Sequence, residues 1–373
     1  MKKIKVLIAG GGTGGHIYPG LSIAQSLIKI SKQHGVDCEI QFVGTSLGLE
    51  SKIIPAKGFQ LHLIQSGKLN FSGRILEKIK TLLKLPMGLI QSLLILGHEK
   101  PNYVIGVGGY ASAPLLFASR ILGYSTALWE PNAHPGMANR LLSKIVKKAF
   151  IVFDDAKKYL ASQSIVMAGM PLREEIEIAR EEFLAKKHLS AVSEKFTILC
   201  FGGSQGSVFL NNQLSDYVLE LAKNNQTTNL QVIHQTGKAD FTRIKEKYNG
   251  LPCVEVFEYI DDMPKFYKIA DILFCRGGAS TLAEACAFGV VPIVVPLPAA
   301  DNHQQRNAES LVQKNAGFMI LQDQFDSKNL KSIIDRLRTS PTERTAMQSA
   351  LVQLVPPRSA DQIAKNILQE IGL

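Results

Sequence analysis

The hydrophobic positions of this chain form short apolar runs that alternate with longer amphipathic segments. In the first half, runs that predict buried strands cover residues 4–9, 39–45, 102–107, 126–132, 148–153 and 165–169. In the second half, they cover residues 196–201, 230–235, 254–257, 270–275 and 290–295. Helical segments follow several of these runs, and the clearest cover residues 19–30, 68–97, 211–223 and 280–288. Strands that alternate with helices are typical of parallel sheets covered by helices, so the pattern predicts an α/β fold.

The same order of elements occurs twice along the chain. An acidic helical segment opens after Met170-Pro-Leu-Arg173, Pro356-Pro357 interrupts the chain near its end, and residues 358–373 read as a last helix. We therefore predict two Rossmann-like, doubly wound parallel-sheet domains, residues 1–169 and 170–357, facing across a cleft. Such a cleft is a natural site for two substrates.

Glycine-rich turns follow four of the predicted strands, at residues 10–15, 108–109, 202–206 and 277–278. A strand, a glycine turn and a helix N-terminus present free amides and the positive end of the helix dipole to an anion, although each can also be an ordinary strand-to-helix turn. The first turn has the G-x-G-x-x-G spacing of dinucleotide-binding folds. The next strand ends in Gly44-Thr45, without the carboxylate that would bind a ribose, which argues against a nicotinamide cofactor.

Several polar residues near these turns are candidates for chemistry. His16 lies at a helix start, where the dipole favours the neutral imidazole; it is either a general base or a hydrogen-bonding partner of the loop. Glu130 and Asn132 end a predicted strand and join His16 and Tyr110 as residues facing one crevice. Ser280 is the predicted cap of the helix after Gly277-Gly278. The polar pair Gln304-Gln305 is suited to reading sugar hydroxyls or to starting a helix.

Composition favours a globular intracellular protein. Hydrophobic residues make up 46% of the 373 and charged residues 20%, and the five cysteines are scattered through apolar runs. This cysteine usage indicates reduced core thiols in a cytoplasmic protein. No apolar run reaches the roughly 18 residues of a membrane span, and the N-terminal run is too short for a signal peptide.

The net charge of +10 is confined to the first half. Residues 1–168 hold 20 of the 42 Lys and Arg but 8 of the 32 Asp and Glu, a net +12, and the remainder has a net −2. This asymmetry points to an anionic partner for the first half. Within residues 68–97, basic and aliphatic positions interleave. This pattern fits a helix that lies on an anionic membrane surface, and it also fits a helix that packs on the core with its lysines facing solvent. Nucleic acid is a poorer fit, because Phe71 is the only aromatic residue there.

The ordered set of motifs resembles the MurG family, the UDP-N-acetylglucosamine transferases of peptidoglycan synthesis. The motifs are Gly10-Gly-Gly-Thr-Gly-Gly-His16, Gly108-Gly-Tyr110, Gly202-Gly-Ser-Gln-Gly206 and Cys275-Arg-Gly-Gly-Ala279, with Glu284 and Gln304-Gln305. Two departures are Gly278, where the family usually has Ser, and Trp129-Glu-Pro-Asn132, where it has His-Glu-Gln-Asn.

The resemblance implies a GT-B fold and an inverting glycosyltransferase. The family moves N-acetylglucosamine from UDP-GlcNAc to the C4 hydroxyl of the MurNAc of undecaprenyl-pyrophosphoryl-MurNAc-pentapeptide (lipid I), which gives lipid II. It also implies a peripheral protein at the cytoplasmic face of the bacterial inner membrane, with roles in cell shape and division and with other cell-wall or division proteins as candidate partners. No cofactor is implied. Because no Asp-x-Asp metal motif occurs, we expect metal-independent chemistry.

Site residues follow from the same resemblance. The catalytic candidates are His16 and, as an alternative base, Glu130. The resemblance assigns the contacts with UDP-GlcNAc to Thr13, Gly14, Gly15, Asn132, Arg173, Ser204, Ile260, Ala279, Ser280, Thr281, Leu282, Ala283, Glu284, Gln304 and Gln305. It assigns binding of the acceptor diphosphate to Gly12, Thr13, His16, Gly108, Gly109 and Tyr110. The membrane patch comprises Arg74, Ile75, Lys78, Ile79, Lys80, Leu82, Leu83 and Lys84, and the last helix packs back on the first domain.

Two related activities use the same fold and donor. A GT-B transferase acting on another lipid would differ only on the acceptor side. A UDP-GlcNAc 2-epimerase would need carboxylates beside the sugar in both domains, and the sequence does not clearly supply them.

Overall fold

The structure, a computed structural model, describes residues 2–66, 75–185, 195–299 and 301–373, and of residues 75–85 it describes the backbone. The chain divides into two compact units, Met1–Glu174 with Pro356–Leu373, and Glu175–Val355. The sequence had placed the first boundary after residue 169. Residues 170–174 group with the first unit, where Met170 is buried and the Arg173 guanidinium lies 5.6 Å from the centre of the Tyr18 ring.

The first unit is built on a seven-stranded parallel sheet in the order β3-β2-β1-β4-β5-β6-β7. Its strands are β1 (Lys2–Ala9), β2 (Val36–Gly44), β3 (Gln60–Leu63), β4 (Tyr103–Gly106), β5 (Thr126–Glu130), β6 (Lys148–Ile151) and β7 (Ser164–Met167). Its helices are α1 (Gly14–Gln33), α2 (Glu50–Ala56), α3 (Ile75–Glu99), α4 (Ser112–Ile121) and α5 (Met137–Leu142), with a 3-10 helix at Asp154–Tyr159.

The second unit repeats this plan with a six-stranded parallel sheet in the order β10-β9-β8-β11-β12-β13. Its strands are β8 (Phe196–Phe201), β9 (Leu230–Gln235), β10 (Val254–Phe257), β11 (Ile272–Cys275), β12 (Val291–Val294) and β13 (Phe318–Met319). Its helices are α6 (Glu174–Ala185), α7 (Val208–Lys223), α8 (Phe241–Lys247), α9 (Met263–Tyr267), α10 (Ala279–Phe288), α11 (His303–Val312), α12 (Ser327–Thr339) and α13 (Pro341–Leu354). Short 3-10 helices occur at Lys238–Asp240 and Gln322–Gln324.

The central strands are apolar along their length because helices cover both faces of a parallel sheet. β4, β5, β8 and β11 are buried at every residue. The β1–β2 register runs from Lys2 opposite Val36 to Ala9 opposite Val43, so both strands end at the same edge of the sheet. The prediction of two doubly wound parallel sheets is confirmed.

The last helix, α14 (Ser359–Glu370), packs against α1 of the first unit. Ile363 and Ile367 are fully buried, and Ser26 donates a hydrogen bond of 2.7 Å to Asp361. On α1, Lys29 forms an ion pair with the same carboxylate. Buried apolar side chains and a short hydrogen bond thus hold the last helix on the first unit.

Residues 75–97 of the basic amphipathic segment lie in α3, and residues 68–74 lie outside the described part of the chain. Arg74 and the side chains of Ile75, Lys78, Ile79, Lys80, Leu82, Leu83 and Lys84 lie outside what the structure describes. Within the described part of the chain, no helix has the length and apolarity needed to cross a bilayer.

Candidate functional site

The first glycine loop connects β1 to α1 and holds His16 in the first turn of the helix. The sequence predicted a helix start near Pro19, whereas α1 begins at Gly14, with Thr13 in extended conformation before it. Gly12 adopts φ +87°, a conformation that favours glycine. The Gly10 amide donates to the Val43 carbonyl, which ties the loop to β2. The amides of Gly14 and Gly15 therefore belong to the helix N-terminus, where an anion is favoured.

The imidazole of His16 is oriented by the second glycine loop. Its Nδ1 donates a hydrogen bond of 3.1 Å to the Val107 carbonyl, so the neutral ring carries its lone pair on Nε2. Burial lowers the pKa of His16, while the Val107 hydrogen bond and the negative charge of Glu50 act in the opposite direction. The ring is thus neutral near pH 7, as a general base requires.

Glycines at 108 and 109 allow the two loops of the first unit to approach closely. Both have positive φ, +102° and +80°. A Cβ on Gly108 would collide with the His16 ring, and one on Gly109 would collide with the Gly11 backbone. Tyr110, which follows, is 42% exposed, and its carbonyl accepts from the Ser66 hydroxyl. The His16 ring therefore lies against Gly108, and Gly109, which precedes Tyr110, lies against Gly11; a crevice shared by His16, Tyr110, Glu130 and Asn132 stays a prediction.

Glu130 ends β5 but is only 1% exposed. Its Oε1 accepts from the backbone and side-chain amides of Asn132, at 2.9 and 3.1 Å, and its Oε2 accepts from Asn139 at 2.8 Å. The carboxylate thereby fixes the loop from β5 to α5. Burial raises the pKa of Glu130 to about 7 despite these donors. Trp129 beside it is fully buried and donates to the Gly169 carbonyl, so this departure from the family motif serves packing.

In the second unit, the turn after β11 leads into α10. The sequence predicted Ser280 as the helix cap, which is wrong: the cap is Gly278, in extended conformation, and Ser280 lies inside the first turn. The helix ends at Phe288, as the segment 280–288 predicted, and its C-cap Gly289 is in left-handed conformation with φ +67°. Ala279, Ser280 and Thr281 are half-buried at this helix N-terminus, whereas Leu282 and Ala283 are buried.

Glu284 is held in place by a tyrosine. The Tyr267 hydroxyl donates to Glu284 Oε2 at 3.1 Å. The Ile260 amide, in the loop after β10, donates to Gln235 Oε1 at 2.9 Å. Ser204 is exposed in the third glycine loop, and Ser207 caps α7 by accepting from the Leu210 amide.

The two adjacent glutamines have different roles in the structure. Gln304 Oε1 accepts from the amides of Gly277 at 3.0 Å and Leu297 at 2.9 Å, so this oxygen braces the turn. Its NH₂ group is the part suited to a sugar oxygen. Gln305 donates to Glu309 along α11 at 2.9 Å. Within the described residues, no group of three or more His, Cys, Asp or Glu is arranged to hold a metal ion.

The sequence did not identify the residues that position these turns. They are Glu50, Asn139, Gln235, Tyr267 and Arg276. Arg276 donates to the carbonyls of Val295 and Pro296 and to the Ser207 hydroxyl, and so links the fourth glycine turn to the third. Of this set, only Arg276 had a signal, its place inside the Cys-Arg-Gly-Gly motif. Glu50 and Gln235 each contact a loop 25 or more residues away in sequence.

Substituting Glu130 by Gln tests the electrostatics of the first unit. Because the pKa of folded Glu130 lies above its ordinary value, its bound proton stabilises the fold at low pH, and this contribution is lost as the pH rises through about 7. Between pH 5.5 and 8.5 the wild type should lose roughly 2 kcal/mol that Glu130→Gln does not lose. Urea denaturation followed by Trp129, the single tryptophan, reports this unit.

The exposed carboxylate of Asp37, in the same unit, provides the control, and Asp37→Asn should lose as much stability over this pH range as the wild type. An equal pH dependence in Glu130→Gln and the wild type would contradict the account of Glu130.

Comparison with known proteins identifies the family. Residues 6–151 match the glycosyltransferase family 28 N-terminal domain, and residues 197–367 match the family 28 C-terminal domain. A protein of Bdellovibrio bacteriovorus is 55% identical over 98% of this chain and 99% of its own length. A protein of Myxococcus xanthus is 35% identical over 97% of this chain and 91% of its own. Both are named UDP-N-acetylglucosamine–N-acetylmuramyl-(pentapeptide) pyrophosphoryl-undecaprenol N-acetylglucosamine transferase.

A solved structure agrees with the sequence relatives. The crystal structure of Acinetobacter baumannii MurG superposes with a TM-score of 0.79 at 25% identity, covering 98% of this chain and 99% of that one. The predicted resemblance and GT-B fold are thereby confirmed. The chain belongs to glycosyltransferase family 28 and, within it, to the MurG family of N-acetylglucosamine transferases.

Proposed function

We propose that this protein transfers N-acetylglucosamine from UDP-GlcNAc to the C4 hydroxyl of the MurNAc of lipid I, giving lipid II and UDP. The observation that carries the proposal is the 55% identity, over 98% of the chain, to a protein named for this reaction. The glycine turns at two helix N-termini, one in each unit, are suited to the two diphosphates that the reaction involves.

In the proposed reaction, the C4 oxygen of the acceptor forms a bond to C1 of the donor sugar, on the face opposite UDP. The bond from C1 to the β-phosphate oxygen breaks, and the proton of the hydroxyl passes to a base. We assign this base to Nε2 of His16, because Nδ1 is committed to the Val107 carbonyl. The burial of Glu130 and its amide donors support a positioning role for that carboxylate instead.

The acceptor diphosphate is assigned to the first unit. Thr13 is exposed at the start of α1, and the first-turn amides of Gly14 and Gly15 follow it. Tyr110 lies exposed after Gly108 and Gly109 and beside the same loop. The resemblance also assigns Thr13, Gly14, Gly15, Asn132 and Arg173 to the donor, and these assignments remain predictions.

The donor is assigned to the second unit. Ser204 and the first turn of α10 would take the diphosphate and stabilise the negative charge that develops on departing UDP. Glu284, one turn further and oriented by Tyr267, would accept from the ribose. Because the Ile260 amide donates to Gln235, we assign the contact with uracil to the Ile260 carbonyl. Gln305 and the NH₂ group of Gln304 would contact the N-acetylglucosamine of the donor.

We assign the protein to the cytoplasmic face of the inner membrane as a peripheral protein. α3 packs against α4, and α4 against α5, and the three helices carry exposed apolar side chains. These are Met87, Ile90, Leu94, Phe117, Ile121, Leu122, Met137 and Leu141. Exposed Arg120, Arg140 and Lys144 lie on or next to α4 and α5. Exposed apolar side chains with cations on or next to the same helices suit an anionic lipid surface, and residues 87–94 follow the predicted patch of residues 74–84 along α3.

The reaction is tested with labelled UDP-GlcNAc and a short-chain lipid I analogue in the presence of EDTA. We expect labelled disaccharide product, because two helix N-termini and a histidine base supply the charge stabilisation and the proton acceptor. Loss of activity in EDTA with rescue by Mg²⁺ would contradict metal-independent chemistry. If no product formed while UDP-GlcNAc still raised the melting temperature, the assignment of lipid I would be wrong, and other lipid acceptors would be the next substrates to assay.

The membrane assignment is tested by flotation with phosphatidylglycerol-containing vesicles. Leu94→Glu with Ile121→Glu adds two charges to exposed apolar positions and should lower the bound fraction roughly tenfold or more. Ile269→Glu, at an apolar position of the second unit that is 45% exposed, is the matched control and should float like the wild type. Equal flotation of all three proteins would contradict the assignment.

A further inference from the structure

A buried carboxylate lies beneath the first glycine loop, outside the motifs on which the resemblance rests. Glu50 is the first residue of α2 and is 1% exposed. Its Oε2 accepts from the Gly12 amide at 2.7 Å. Its Oε1 accepts from the Thr45 amide at 3.0 Å and from the Thr45 hydroxyl at 2.8 Å. The carboxylate thus joins the loop after β1 to the loop after β2.

Three glycines make room for this side chain. A Cβ at Gly11 or Gly48 would collide with the Glu50 carboxylate, and one at Gly44 would collide with Glu50 Cγ. None of these three glycines has a positive φ, so their backbone conformations do not demand glycine. Contact with Glu50 therefore accounts for the absence of side chains at these positions, and the carboxylate is part of how the two loops are built.

The carboxylate also acts on the histidine. Its negative charge favours the protonated imidazole of His16, against the burial that disfavours it. The amides of Gly12 and Thr45 and the Thr45 hydroxyl outweigh the burial of Glu50 and hold the pKa of this carboxyl below its ordinary value. Glu50 is therefore ionised near pH 7, and its charge is present when His16 accepts a proton.

We propose that Glu50 is a positioning residue of the transfer reaction. It holds the first glycine loop in its binding shape through the Gly12 amide, and it stabilises the imidazolium that His16 becomes after taking the acceptor's proton. Because Gly12 donates to Glu50, the acceptor diphosphate is left to the amides that follow it, at Gly14 and Gly15. This inference rests on the proposed function, since it assigns Glu50 to the lipid I side of that reaction.

Two variants separate the effect of the charge of Glu50 from the effect of its position. Glu50→Gln keeps the shape but removes the charge, and its NH₂ group cannot accept from either Gly12 or Thr45. Gly48→Ala keeps the carboxylate and its charge but displaces it by the added Cβ. Gly97→Ala, at an exposed helical position where a Cβ meets no atom within 4 Å, is the matched control.

The experiment measures kcat/KM for the lipid I analogue, the Kd of UDP-GlcNAc, and the pKa of His16 by NMR of the histidine side chains, assigned with a His16 variant. In Glu50→Gln, kcat/KM should fall roughly tenfold to a hundredfold, as expected for loss of a hydrogen bond to a charged group. The pKa of His16 should fall as well, and the acidic limb of the kcat/KM profile should move to lower pH. Gly48→Ala should show the same kind of loss in kcat/KM, and the Kd of UDP-GlcNAc should stay within about twofold throughout.

Acceptor kcat/KM within twofold of the wild type in either folded variant, or an unchanged His16 pKa in Glu50→Gln, would overturn the proposal. If Glu50→Gln did not fold, as judged by Trp129 fluorescence, Gly48→Ala would decide the outcome through kcat/KM. Absence of transfer by the wild type would instead reject the proposed function, and the NMR titration would still decide whether Glu50 acts on His16.

Discussion

The structure depends on backbone amides that the ends of parallel strands leave unpaired. In each unit, β-strands end at one edge of the sheet, and the chain turns there through glycines into a helix whose first amides have no intrahelical partner. Water or an anion must satisfy these groups. The chemistry that we propose, in which one diphosphate is bound and another leaves, uses the same unpaired amides that the fold creates at α1 and α10.

Buried or half-buried polar side chains accept hydrogen bonds from the amides of these turns. Glu50 takes the Gly12 amide, Gln304 takes the Gly277 amide, and Gln235 takes the Ile260 amide. Each of these groups accepts from a loop amide and so fixes the loop before any ligand arrives. An unpaired buried amide would be costly, so the same contacts serve folding and binding geometry together. A fixed loop also lowers the conformational entropy that a substrate must remove on binding.

Apolar periodicity predicted the sheets well because central strands are buried on both faces. The runs at 196–201 and 230–235 coincide with the central strands β8 and β9. The edge strands β3 and β13 were missed, since they have only four and two residues and none of these is buried. The start of α1 was predicted five residues too late, because glycines and a histidine carry no helical signal.

The candidate site was predictable only as far as its motifs are local. His16 and Gly108 were expected near one another and are, because the loops that carry them follow the neighbouring strands β1 and β4. Glu50 was not expected, because it contacts Gly12 across 38 residues and no pattern near it indicates a buried carboxylate. The cap of α10 was assigned to Ser280 on residue type, whereas the backbone conformation of Gly278 decides it.

The central claim is that His16 accepts the proton of the acceptor hydroxyl, and His16→Asn tests it most directly. The Asn NH₂ group can donate to the Val107 carbonyl as Nδ1 does, but it supplies no equivalent of Nε2. Single-turnover transfer should fall by roughly 10² to 10⁴, while the Kd of UDP-GlcNAc stays within about twofold. A transfer rate close to that of the wild type would contradict the account and return the role of base to Glu130.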